Sequence, residues 1–517
     1  RASSGTTTNS ADTIYVGNPV WASDAQQIGE KYVADLSSKY APEDSFEWDS
    51  ELNAFCQDET GYSDDDPTHH GGSYRQINAV FALTGTAQFT NAADATLTFR
   101  HSGETAGHYS GYDPERKEYF NVESDNLILF ADSSKFTNEG TISYESYFTG
   151  TAGGTYEDWN NGKPVGFSVF LRDDAVFENA GTISAVPDNY VECVSYNLFG
   201  NAKFVNTASG KIRGIDLCLY GDSVVENAGL LDNSGLGDKP YVTLQENANF
   251  VNTGTIVGET GYNFEFAREM TGTSKIENRG KMTNMSDVTF MYWLHGDETL
   301  SGVSATFENR GEISAADGYG VHAISFEADF ENASDDVDFI AVGKANLAAS
   351  DLNVKNYGKI DLRDTGSVVV VGTGVKLTLA EGSSIVGGNV SIGVGGTPND
   401  SGVIPIADKD VLVIELTGKD ESEALISGDL DLCNRIELDV SFAEDAVQLK
   451  KYELKIWDGE LRFKEYYSES DYGSAEKTPD AGFIEDSLTG TLENFGTTYE
   501  WSLDTATGVL TASADPV

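Results

Sequence analysis

Across 517 residues, 84 acidic side chains stand against 33 basic ones, and the net charge of −51 excludes nucleic acid and anionic lipid as partners by repulsion. Hydrophobic residues make up 39% and aromatic ones 11%, enough to fill a core, so disorder is excluded as well. Four cysteines beside 54 glycines exclude a disulfide scaffold, and no apolar run approaches the ~20 residues of a membrane helix, so no membrane insertion is expected.

In chain order, residues 1–75 lack any repeat. The stretch SDAQQIGEKYVADLSSKYA (23–41) places Ile28, Tyr32, Val33, Leu36 and Tyr40 on one helical face behind an N-capping Ser or Asp. It reads as an amphipathic helix capping an open sheet end. DDDPTHH (64–70) offers oxygen and imidazole groups but no established metal spacing, and is read as a solvated acidic loop.

From residue 76 an aromatic or β-branched residue recurs two positions before an asparagine. The motif occurs at Phe89-x-Asn91, Phe136-x-Asn138, Phe177-x-Asn179, Phe204-x-Asn206 and Val225-x-Asn227. It continues at Phe250-x-Asn252, Ile276-x-Asn278, Phe307-x-Asn309, Phe330-x-Asn332 and Val354-x-Asn356. A short apolar run precedes each motif and another follows a small turn, both with alternation of period two. Three strands in about 25 residues make one coil of a parallel β-helix, each strand pairing with its equivalent one coil away. Phe and Asn share parity and point inward, so the asparagines should stack about 4.8 Å apart and hydrogen-bond as a ladder. The ladder comprises Asn138, Asn179, Asn206, Asn227, Asn252, Asn278, Asn309, Asn332 and Asn356. The glycine two residues on is expected to supply a positive φ at the corner. VKLTLAEGSSIVGG (375–388) keeps the alternation without the Asn.

Two early coils carry insertions, at 100–120 and 144–164, between the third strand of one coil and the first of the next. Such loops leave the same edge side by side. Tyr112, Tyr147, Tyr156, Asp158 and Trp159 make them the candidate ligand site, since aromatic faces with carboxylates suit sugar rings or a protein partner. The outward middle position of the motif reads Glu277, Glu308 and Glu331. Arg279 and Arg310 lie two residues along and can compensate this charge; the other reading is a row of weak Ca²⁺ sites. Cys218 alternates with Leu217 and Leu219 and reads as packing. Residues 401–517 are strand-rich but out of period and read as a C-terminal β cap or domain.

Tandem F-x-N-x-G-x-I units resemble the repeats of bacterial autotransporter-type passenger domains and related surface adhesins, over roughly residues 77–390. YELKIWDGEL (452–461) and YEWSLDTATGVLTAS (499–513) resemble the segment that closes such passengers.

The expectation is therefore an all-β, right-handed parallel β-helix over 76–400, with a helical cap over 1–75 and a C-terminal β region over 401–517. Its expected role is structural or adhesive, outside the cell or on its surface, as befits a chain that begins on Arg1. Self-association into a homo-oligomer or fibre and a glycan or cell-surface ligand are the expected partners. No catalytic residue is assigned; no cofactor is required, although the charge invites Ca²⁺. The alternative is a carbohydrate-active β-helix enzyme, a polysaccharide lyase or glycoside hydrolase, because this fold hosts both.

Overall fold

The computed structural model describes residues 5–9, 14–16, 47–49, 54–57, 71–103, 109–113, 118–148, 167–185, 194–234, 242–258, 264–270, 272–285, 288–294, 305–315, 323–330, 352–363, 368–372, 375–394, 410–419, 423–432, 436–465, 475–476 and 488–514. All regular structure among them is β, and the expected helix over 23–41 lies outside them. The chain divides into two compact units, residues 1–232 and 233–517.

In the first unit the coils from Gly71 onward each contribute a strand to three sheets, in which equivalent strands of successive coils pair in parallel. The motif strands are Thr6–Asn9, Gln88–Asn91, Lys135–Asn138, Val176–Asn179, Lys203–Asn206 and Val224–Asn227, each paired with the next in register. Phe89, Phe136, Phe177 and Phe204 consequently form one pile, with centroids 5.3, 4.8 and 5.1 Å apart and nearly parallel rings. The third strands stack Leu97, Ile142, Ile183, Ile212 and Leu231 in a second buried column. First strands such as Phe167–Leu171 and Val194–Leu198 close the core from the remaining side. Stacking like on like buries each side chain against a neighbour of similar shape, which suits a closely packed interior.

Thr6–Asn9 corrects the expectation that residues 1–75 lack the repeat. Asn9 Nδ2 donates to Asn91 Oδ1 at 2.8 Å, so the ladder begins one coil before the first recognisable motif. It then runs from Asn91 to Asn138, Asn179, Asn206 and Asn227, each amide donating to the next Oδ1 at 2.7–2.8 Å. The second N–H of each amide reaches the carbonyl that opens the next coil's third strand: Thr141, Thr182, Lys211 or Leu230. One side chain thus ties two strands across the corner between them, and both of its donors are satisfied away from water.

The second unit repeats the scheme with motif strands Asn249–Asn252, Lys275–Asn278, Ala305–Asn309, Leu352–Asn356, Val375–Ala380, Asp410–Leu416 and Ile436–Phe442. Its ladder is Asn252, Asn278, Asn309 and Asn356, with steps of 2.7, 2.9 and 2.9 Å. Asn309 and Asn356 are direct neighbours, which removes Asn332 from the ladder. Asn332 itself lies outside the described residues, and Phe330 ends the first strand Ala323–Phe330, paired with Val288–Leu294. What reads in the sequence as two short coils is one coil of 47 residues. Asn356 faces Leu379 on the next coil, and its Nδ2 has no hydrogen-bond partner among the described residues.

The corner glycines need close approach, not a positive φ, correcting the expectation above. None of Gly140, Gly181, Gly280, Gly311 and Gly358 is among the residues with φ in the left-handed region. A Cβ on any of them would lie 2.0–2.2 Å from a backbone carbonyl oxygen of the coil before.

The coil pairings also continue past residue 400, so the C-terminal boundary moves. Asp410–Leu416 and Ile436–Phe442 extend the motif sheet, while Leu430–Leu432 and Leu461–Phe463 extend the first-strand sheet. The C-terminal element is an antiparallel sheet ordered 451–455, 509–514, 497–504 and 489–494. Phe442, from the last motif strand, meets Tyr452 and Tyr499 with ring centroids 5.2 Å away in both cases. This aromatic contact covers the last coil where its apolar interior would otherwise open to water.

A further column sits two residues before the motif's apolar position: Ala87, Ser134, Ala175, Ala202 and Ser223 in the first unit, Ala248, Ser274 and Ala305 in the second. All are at most 1% exposed, and the Oγ atoms of Ser134, Ser223 and Ser274 have no hydrogen-bond partner among the described residues. A buried hydroxyl without a partner costs about 1–3 kcal/mol. Ser274→Ala should therefore stabilise the protein, by about 1 kcal/mol in a urea titration; a loss of stability would mean that the hydroxyl is bonded.

Candidate functional site

Of the ligand-site residues, Tyr112 and Tyr147 fall on backbone that is strand, not loop. Third strands in most coils are three residues long, as at Thr182–Ser184 and Lys211–Arg213. On the two insertion-bearing coils they run over Thr96–Gly103 and Thr141–Phe148, paired in parallel along their whole length, with Tyr147 opposite Ser102. First strands lengthen in step: Gly71–Leu83 and Glu118–Phe130 have 13 residues each, against five in Phe167–Leu171. Glu118–Val122 also pairs antiparallel with Tyr109–Asp113, setting Tyr112 opposite Tyr119. Beyond Gly71–Leu83 lie two more antiparallel strands, Ala54–Gln57 and Glu47–Asp49.

The two coils thus extend their sheets past the ordinary corner on the side where the third strand ends and the first begins. Tyr112 and Tyr147 belong to different sheets of this extension, while Tyr156, Asp158 and Trp159 lie outside the described residues. The strand character was missed because Gly and Ser interrupt the apolar alternation in RHSG and YESYF. The signal that could have found it is the matching of aromatic and polar positions between 96–103 and 141–148.

On the second unit's outer face, Glu277 and Glu308 are register partners and both are 7% exposed. Two like charges at strand spacing would repel, but three cations surround them. Arg279 Nε donates to Glu277 Oε1 at 2.5 Å, Lys275 Nζ lies 2.8 Å from Glu308 Oε2, and Arg310 Nε bonds Glu308 Oε1 while lying 3.8 Å from Glu277. Burial pushes the Glu308 carboxyl upward, yet Lys275 and Arg310 outweigh it and hold the group below its ordinary value. Lys275, Arg279 and Arg310 thus compensate the charge of the two carboxylates. Glu331 lies outside the described residues, as does the 64–70 stretch.

Arg310 stacks over the Tyr357 ring at 4.4 Å, and Tyr357 Oη reaches Glu415 Oε1 at 3.5 Å. Burial and the neighbouring Glu415 push the Tyr357 phenol up to about 12, so it remains a neutral donor at physiological pH. Near the C-terminus, Arg462 makes a two-pronged contact with the buried Asp431 at 2.7 and 3.1 Å and a third with Asp429 at 2.8 Å. These pairs join coils to one another. Among the described residues no group of three or more His, Cys, Asp or Glu side chains is placed to hold a metal ion, and no helix is long and apolar enough to cross a membrane. Cys218 is buried in the strand Asp216–Leu219.

No family model, curated protein or solved structure matches the chain.

Proposed function

We propose that this is an extracellular structural or adhesive protein: an acidic β-solenoid that holds out one extended edge to a glycan or cell-surface ligand and self-associates into a fibre, sheath or surface layer. One observation carries the reading. On the same two coils, first and third strands lengthen together on one side, extending two sheets that carry Tyr112 and Tyr147 respectively. A solenoid needs no such extension to bury its core, so the extension serves something outside the coil. The asparagine ladder and aromatic pile supply the stiffness a presenting scaffold requires. The charge of −51 suits saline surroundings, where counterions or Ca²⁺ offset repulsion between copies.

Glycan-array screening of the whole chain tests the adhesive function. Binding without turnover, lost in Trp159→Ala, is the expected result. Release of reducing ends or unsaturated sugars from the bound polysaccharide would instead make the protein an enzyme.

A further inference from the structure

The outer face of the motif sheet in the second unit is polarised. On four consecutive coils its outward positions are Lys275, Glu277 and Arg279; Thr306, Glu308 and Arg310; Asn353, Lys355 and Tyr357; then Lys376 and the buried Thr378. Five cations face two carboxylates there, in a chain whose net charge is −51. Both carboxylates are engaged by Lys275, Arg279 and Arg310, and Lys355 and Lys376 enter none of those pairs. Arg279 and Arg310 are 57% and 50% exposed. The next two coils reverse the sign of the same face, with Glu415 on one and the exposed Glu437 and Asp439 on the other. Three surplus positive charges are followed by three negative ones on a single sheet.

We infer that this face is the contact between two copies of the chain, laid together about a two-fold axis that runs across the stack and reverses its direction. The inference rests on the self-associating function proposed above and names one of its surfaces, the one that closes a dimer as the unit of any larger assembly. Two bodies of charge −51 repel wherever acidic surface meets acidic surface, so association needs a place where the sign changes. A two-fold contact is self-complementary: the cationic coils of one copy meet the acidic coils of the other, and the reverse pairing follows by symmetry. Spacing favours it too, because both patches repeat at the inter-strand distance of about 4.8 Å, so columns of opposite sign stay in step along the contact. Tyr357, beneath Arg310, gives the centre of the patch an aromatic anchor of the kind that concentrates binding energy.

The test is sedimentation velocity of the full chain over a range of concentration and salt. The wild type should dimerise near physiological ionic strength, where the Debye length of about 8 Å screens long-range repulsion but spares contacting pairs, and should dissociate in 1 M salt. Lys355→Glu/Lys376→Glu should weaken the dimer by about tenfold or more. Glu437→Lys/Asp439→Lys should do the same. An equimolar mixture of the two variants should associate again, because a face of net negative charge then meets one of net positive charge. Thermal melts of both variants matching the wild type establish that the fold is intact. Variants that dimerise as the wild type does would overturn the assigned surface while leaving self-association standing. A wild type that stays monomeric at every concentration and salt would remove self-association itself. If that monomer were also retained on a polyuronate resin, the cationic coils would belong to an anionic polysaccharide instead.

Discussion

Gly311→Ala is expected to destabilise the second unit by about 3 kcal/mol or more, because overpacking against backbone cannot be relieved by turning a side chain. An added Cβ would lie 2.1 Å from the Gly280 carbonyl oxygen, and that oxygen accepts a hydrogen bond from Glu312 N at 3.0 Å. Moving the chain to make room breaks the bond that sets the register of the third strand. The displacement does not stop there, since Gly358 sits against the Gly311 carbonyl in the same way, also at 2.1 Å. Gly496→Ala is the control. That glycine has φ +69° in the 489–504 hairpin with nothing within 4 Å of the added methyl, so only the conformational cost of about 1 kcal/mol applies. Denaturant titrations of the two variants decide the matter. Equal losses would mean that the corner glycine is kept for its backbone angle.

That contrast bears on how far the sequence discloses this fold. Phe136, Phe177 and Phe204 are legible because a parallel stack demands the same side chain at the same place in each coil, and the demand appears as a period. The asparagines are legible for the same reason, sharpened by chemistry: an amide that both donates and accepts is the residue that bonds best to a copy of itself. Asn9 escapes notice because Thr7 occupies the position of Phe. Asn332 misleads in the opposite direction. Phe330-Glu331-Asn332 spells the motif, but first strands are apolar too, and only strand pairing tells the end of a first strand from the start of a motif strand.

The glycine error has a different origin. A turn residue and a close-approach residue leave the same letter in the chain, and their difference lies in an atom of the neighbouring coil. The candidate ligand edge sits between these cases. The insertions and their side of the coil follow from where the period breaks, whereas their strand character depends on two insertions pairing with each other. The cationic coils were not visible as a surface at all. Lys275, Lys355 and Lys376 are up to 101 residues apart in the sequence, and only the coil register brings them together.

Asn278→Leu should produce the second large loss, about 1–3 kcal/mol from a buried N–H left without its acceptor, with a weakened acceptor beside it. Asn252 Nδ2 would lose its acceptor at 2.7 Å, and Asn309 Oδ1 would lose the shorter of its two donors, at 2.9 Å, keeping Gly311 N–H at 3.2 Å. The Glu312 carbonyl, 3.4 Å from the same amide, would lose a weaker contact. Leucine is close to asparagine in shape, so the change in packing is small and the polar loss dominates. Asn356→Leu makes the informative comparison, because both residues end a motif strand two positions before a corner glycine. At Asn356 the ladder has already stopped against Leu379, and the substitution removes an Nδ2 with no partner while orphaning only one N–H of Asn309. A self-bonded column therefore predicts a loss at Asn356 well under half of that at Asn278, read from denaturation midpoints under one set of conditions. If each asparagine only shapes its own turn, the two positions are equivalent, and equal losses would return the column to that role.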